Sequence, residues 1–287
     1  MILREGIAEF PNNERLMFTL ADTLTEAGWR RHKEWLCYDE EGFIHHNYEI
    51  HQNNEFWAEA IKISEHLADN AKDNEIVTKS LRILVLLYRN IGENEKAVTC
   101  ANKMPELKNC REVLLASASD GKEEAKYIGE FLLKSAREFT GQLIYGLMTN
   151  KHNFDSDMPI DKIKGAIALF NLICDDGNLG IYHSDLVELY LYLSRVEWER
   201  GYHDETFVSL DKALEHAKAL ESLSGKTEHN LTAPLVSFVK CTIKDNENIT
   251  KSLPEVWPMW CCPDYSETKK EIKADPRWQE WVERTQK

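Results

Sequence analysis

Three histidines fall within the stretch "HHNYEIH": His45, His46 and His51. Imidazoles in such a cluster are the residue type that holds zinc and related ions. The spacing fixes neither a ligand count nor a second shell, so the stretch reads as a polar loop and no metal is assigned. Cys261 and Cys262 are adjacent, between Trp260 and Pro263. A vicinal disulfide or redox switch is the sharper reading there, and two buried or idle thiols the plainer one. The seven cysteines are odd in number and show no CxxC spacing, which reads as reduced thiols in a cytoplasmic protein. Trp257, Trp260, Trp278 and Trp281 crowd the end of the chain, as an apolar cap or, alternatively, a ligand box.

The constellations of nucleophilic, phosphate-binding and metal-assisted catalysis are missing. There is no GxSxG, GxxxxGK[ST], GxGxxG after a strand, or HExxH. The expectation is therefore a non-enzyme with no catalytic residue and no cofactor. An enzyme on a helical scaffold stays as a third reading, one that needs a deep polar pocket with perturbed titrating groups. A net charge of −14 without a Lys/Arg-rich run argues against nucleic-acid binding by these residues, since phosphate neutralisation supplies most of that affinity. No run of 18 uncharged apolar residues suggests a membrane span.

What positions these residues is a helical repeat. The tetratricopeptide pattern wants a large residue, then Leu three on, a small residue four on and an aromatic seven on, with small residues recurring on a second helix. Met17, Leu20, Ala21 and Leu24 match it, closed by Gly28. Leu81, Leu84, Val85 and Tyr88 match again, followed by Gly92 and by Ala97 and Ala101 on the next helix. Tyr190, Leu193 and Ser194 match a third time, with Gly201, Thr206, Leu210 and Ala213. Small residues let two helices approach, and large ones fill the layer between them. Gly92 and Gly201 suit the left-handed position that ends a helix before a tight turn.

The remainder is helical with less regularity. Residues 56–71 fit a second helix with Ala60 at a small-residue slot, 109–149 hold a short helix and a long one, and 160–173 form another. Residues 29–55 interrupt the repeat as a loop or a displaced short helix. The expected fold is all-α: a tetratricopeptide-like right-handed superhelix of about a dozen helices, one continuous domain over 1–287. Within it, 1–105 are N-terminal repeats, 106–225 central repeats and 226–287 cap helices. One 34-residue period before Met17, Leu3, Gly6 and Pro11 occupy second-helix slots, so the chain reads as starting inside a repeat.

The segments "IGENEKAVTCANKMPELKNCREVLLASASDGKE" (91–123), "EFPNNERLMFTLADTL" (9–24), "AKDNEIVTKSLRILVLLYRNIGE" (71–93) and "ADPRWQEW" (274–281) carry a resemblance. The chain resembles the tetratricopeptide-like C-terminal regions of Xre-type helix-turn-helix transcriptional regulators of bacteria. The resemblance covers most of the chain and is weakest over 225–270. It implies repeats that sense a signal or mediate dimerisation, behind a DNA-binding headpiece. That headpiece is absent from this sequence, so DNA contact is expected only through an upstream segment.

The wall of such a solenoid is built from exposed first-helix positions. These are Arg15, Phe18, Asp22, Thr25 and Glu26, then Lys79, Arg82, Leu86, Arg89 and Asn90, then Glu188, Leu191, Arg195, Trp198 and Glu199. Arg82, Arg89, Asn90, Arg195 and Glu199 could hold the carboxylates or amides of a peptide or protein partner, with Trp198 as apolar anchor. A solvated face with ordinary ion pairs is the plainer reading. The expected function is the sensing or interaction region of a bacterial regulator, binding a peptide, small effector or protein. The rival is a free-standing scaffold joining proteins, unrelated to transcription. Leu3, Ile7 and Phe10 on a half-repeat need a cover, which suggests a homodimer.

Overall fold

A computed structural model describes residues 2–31, 36–38, 44–106, 110–149, 157–243, 248–257 and 266–287. Among them the chain is mostly helical, with fourteen α-helices and two small hairpins of three-residue strands. It is an all-α protein that divides into two compact units, Met1–Leu107 and Lys108–Lys287. No helix among the described residues is long and apolar enough to cross a membrane.

The first unit runs α1 (Ile2–Glu9), α2 (Glu14–Arg31), the hairpin β1 (Leu36–Tyr38) and β2 (Ile44–His46), α3 (Tyr48–His51), α4 (Glu55–Asn70), α5 (Asn74–Asn90) and α6 (Asn94–Ala101). The starts of α4 and α5 are set by short polar side chains. Asn54 accepts from Trp57 N at 3.3 Å and Asp73 from Glu75 N at 2.9 Å, satisfying first-turn donors. The core joins Leu20, Ala21 and Leu24 to Trp57 and Ala60, and these to Leu81, Leu84, Leu87, Tyr88 and Ala97. Most positions picked out by the repeat spacing are thus core positions, with Met17 and Val85 half-buried and Ala101 exposed. Leu3 and Ile7 of α1 pack against this cluster, while Ile2 and Phe10 stay exposed, at 83% and 54%.

The second unit runs α7 (Arg111–Ser117), α8 (Gly121–Thr149), α9 (Met158–Ile173), α10 (His183–Glu199) and α11 (His203–Glu221). The hairpin β3 (Glu228–Asn230) and β4 (Lys240–Thr242) follows, then α12 (Ile249–Val256), α13 (Ser266–Ala274) and α14 (Pro276–Thr285). Helix α10 is covered on all sides over 191–198, by α9, α11 and α13 among others. The tryptophans Trp257, Trp278 and Trp281 close the α10–α11 core, and two of their indole N–H groups are satisfied internally. Trp257 Nε1 donates to Ser194 Oγ at 2.9 Å, and Trp281 Nε1 to the Leu210 carbonyl at 3.0 Å. Trp260, Cys261 and Cys262 lie outside the described residues.

Both expected glycine caps are present. Gly92 has φ 85° and Gly201 φ 82°, and in each the next residue's N–H reaches back across the helix end: Glu93 N to Tyr88 O at 2.8 Å, Tyr202 N to Glu197 O at 2.9 Å. Gly28 differs from its expected role. It lies inside α2, which continues to Arg31, and its missing side chain makes room for Trp57. The described part of 29–55 holds a short helix, α3, as one of the two expectations has it, together with the end of α2 and the β1–β2 hairpin, which were not expected. His51 is a buried core residue, 1% exposed, with its ring 4.6 Å from that of Trp57. His45 lies opposite Cys37 and His46 opposite Leu36 in the hairpin, but their side chains are outside the described residues.

Candidate functional site

In the first unit the predicted wall lies on α2 and α5, which touch one another directly as well as through α4. Phe18 of α2 is half-buried, and Lys79 of α5 brings its ammonium to 5.8 Å from the Phe18 ring centroid. Lys79 is also paired with Glu75 at 2.7 Å, one helical turn earlier. Arg82, one turn beyond Lys79, is exposed and has no ion pair among the described residues. Leu86, a further turn along, is 38% exposed. Asp22 and Glu26 are exposed on α2. The result is a surface of mixed character: an aromatic ring, an aliphatic side chain, two cations on α5 and two carboxylates on α2. A guanidinium held at helical spacing from an exposed leucine suits a carboxylate flanked by an apolar residue.

The α5 end of this surface is more closed than its sequence suggests. Arg89 is half-buried and Asn90 is only 2% exposed, its Nδ2 without a hydrogen bond among the described residues. Helix α3 lies over the turn that follows. Gln52 Nε2 donates to the Ile91 carbonyl at 3.3 Å, and the Tyr48 ring lies against Gly92. Thr25, at the other end of α2, is buried with its hydroxyl donating to the Ala21 carbonyl at 2.8 Å. The exposed part of the wall is therefore Arg15, Lys79, Arg82 and Leu86, with the two carboxylates and the half-buried Phe18 ring.

In the second unit three of the five predicted positions, Leu191, Arg195 and Trp198, are core rather than wall. Arg195 is 3% exposed, its guanidinium 4.2 Å from the Tyr192 ring centroid and its Nε 3.8 Å from Glu199. Trp198 is 7% exposed, stacked on His203 at 4.1 Å and edge-on to Phe207 at 6.3 Å. Leu191 is buried as well, and Glu188 and Glu199 are exposed. A periodic pattern gives the face that a helix buries on its own partner. It does not reveal a further layer on the opposite face, and here such a layer exists.

Two polar networks in this unit lie outside the predicted set. Glu197, 2% exposed, accepts from Ser209 Oγ at 2.6 Å, and Lys164 Nζ stands 3.9 Å away. Burial pushes its carboxyl pKa up, against the opposing pull of Ser209 and Lys164. Glu197 and Ser209 are both closed off from solvent, so the pair ties α10 to α11 and offers no approach to a substrate. Arg137 of α8 binds Asp185 of α10 with two bonds, at 2.8 and 2.6 Å, and lies 4.5 Å from the Tyr182 ring centroid. No sequence motif marks either network, because each is made by residues on different helices.

Among the described residues no group of three or more His, Cys, Asp or Glu side chains is arranged to hold a metal. Comparison of the chain with protein-family models, with curated proteins and with solved structures finds no match.

Proposed function

We propose that this chain is a non-enzymatic helical-repeat interaction region, built as a tetratricopeptide-like right-handed superhelix, that serves a bacterial transcriptional regulator. The observation that carries this reading is the contact order of the first unit. Helix α2 packs on α4, α4 on α5, α5 on α6, and α2 reaches past α4 to touch α5. Successive antiparallel pairs make this set of contacts when each pair shields the apolar face of the next. The partner is a peptide or protein segment carrying a carboxylate beside an apolar residue, held by Arg82 and by Phe18 and Leu86. DNA is reached through another segment of the regulator, and the repeats associate as a homodimer.

A peptide array probed with the whole chain tests the binding role. Enrichment of acidic–apolar peptides is expected, with at least tenfold weaker binding by Arg82→Glu and Phe18→Ala. Equal binding by the variants, or no enriched class, would overturn it. The link to transcription is tested in the genome: a reading frame that continues upstream into a helix-turn-helix segment supports it. A ribosome-binding site directly before Met1 would favour a free-standing scaffold instead.

A further inference from the structure

Helices α4, α5 and α6 enclose a cleft of about 230 Å³ that shares no residue with the α2–α5 surface. Its floor is Leu84, Tyr88 and Cys100, all buried, with Ala68 beside them. Glu65 and Asp69, one turn apart on α4, form one rim, and Lys96, Thr99 and Lys103 form the other. Several of these groups are already engaged. Tyr88 Oη donates to Glu65 Oε1. Lys96 pairs with Glu93 at 3.4 Å and lies 5.5 Å from the Tyr88 ring centroid. Thr99 Oγ1 donates to the Glu95 carbonyl at 2.8 Å, so the hydroxyl keeps only acceptor capacity.

Asp69 and Lys103 are left. Neither has an ion pair among the described residues, and both are exposed at the cleft mouth. The Cys100 thiol on the floor senses both rims. Burial raises its pKa first; then Lys103 pulls it down while Glu65 and Asp69 push it up. An apolar floor thus lies between an unpaired anion on one side and an unpaired cation on the other.

We propose that this cleft binds a small zwitterion, a free α-amino acid, with its ammonium at Asp69 and its carboxylate at Lys103. The volume is below the roughly 300–1,000 Å³ of sites for drug-sized ligands, which suits an occupant the size of a single amino acid. A plain anion would meet a chain of net charge −14 and leave Asp69 unmatched, and a plain amine would leave Lys103 unmatched. Both charges on one small molecule satisfy both rims, and an apolar side chain covers Leu84 and Cys100. The charged rims are wet, so the affinity is modest, about 1 mM or somewhat tighter.

Titration calorimetry on the full chain, with each of the twenty proteinogenic amino acids in turn, tests this directly. At least one apolar amino acid is expected to bind saturably, and its analogues lacking the amino or the carboxyl group at least tenfold more weakly. Asp69→Asn and Lys103→Met are each expected to weaken it tenfold, with unchanged helical circular dichroism. The ligand should also slow alkylation of Cys100 by iodoacetamide, read by peptide mass mapping. The proposal fails if no amino acid binds saturably, if both variants bind as the parent does, or if the des-amino acid binds as tightly as the amino acid. Loss of amino-acid binding with peptide binding through Arg82 intact would leave the partner surface standing.

Discussion

Trp57 occupies the volume that Gly28 leaves open. A Cβ on Gly28 would fall inside the indole, against its Nε1 and Cδ1 atoms. Trp57 is fully buried, and its Nε1 donates to the Thr25 carbonyl at 3.1 Å, one turn before Gly28. Asn54 Nδ2 donates to the Gly28 carbonyl itself at 3.2 Å. The start of α4 is therefore pinned onto the last turns of α2 by an indole that needs a bare backbone there and by an amide bonded to the Gly28 carbonyl.

Gly28→Ala is expected to destabilise the first unit by about 1–3 kcal/mol, the usual cost of forcing a methyl group into a filled core. Helix propensity favours the alanine by roughly 1 kcal/mol, so a net loss would show that the contact with Trp57 outweighs it. The urea midpoint decides the sign: a midpoint at or above that of the parent would refute the role given to Gly28.

Acid should weaken the second unit from about pH 6.5 downward. His183 Nδ1 and His216 Nδ1 are 2.9 Å apart, which lets one nitrogen donate and the other accept only while at least one ring is neutral there. Tyr190 stacks on His216 at 5.5 Å, and His229, Glu215 and Lys212 are the charged or titratable groups nearby. Burial, then His216 and His229, depress His183 to about 4, while Glu215 opposes them. Burial also lowers His216. A folded pKa below the unfolded value means that the unfolded chain takes up the proton first. The stabilisation is then complete above about pH 6.5 and is lost as the pH falls toward 4. For His183 alone this amounts to about 2 kcal/mol at pH 5. Urea unfolding at pH 7.5 and pH 5 should show the loss, and His183→Gln should flatten it. An unchanged slope in that variant would assign the pH dependence elsewhere.

Trp281 is the anchor of the C-terminal cap. It is fully buried, 5.1 Å from the Trp278 ring, and bonded to the Leu210 carbonyl. Trp281→Ala is expected to cost roughly 3–5 kcal/mol. Trp281→Phe keeps most of the area and loses the hydrogen bond, for about 1 kcal/mol. Thermal unfolding of both variants separates packing from the polar contact; equal effects would mean that the bond dominates.

The core was readable from spacing wherever two helices of one pair face each other. Ala21, Leu84, Tyr88, Ala97, Ser194, Leu210 and Ala213 were picked out by the repeat pattern, and all are buried. The wall was not equally readable. Arg82 is exposed as its position implies, yet Arg195 and Trp198, on the corresponding face of α10, are enclosed. Whether a face meets solvent depends on which other elements fold back over it, such as α13 on α10 or α3 at the end of α5. Those contacts come from chain segments with no period of their own. His51 shows the same limit: its burial between Trp29 and Trp57 depends on α3, which breaks the repeat.

The exposed side of α1 is where a homodimer should leave its mark. Leu3 and Ile7 pack on the first core, while Ile2 and Phe10 present 83% and 54% of their surface. Burying two such side chains on each protomer would contribute about 1.5–3 kcal/mol apiece, and a two-fold axis brings both copies together at once. Light scattering at micromolar concentration is expected to give about twice the chain mass of 33.3 kDa. Phe10→Asp should return the mass to that of one chain without loss of helical signal, since Phe10 lies outside the core. A parent mass of 33.3 kDa would show that α2 covers α1 well enough alone. A Phe10→Asp variant that stays dimeric would move the interface away from α1, and α14 is then the next surface to probe.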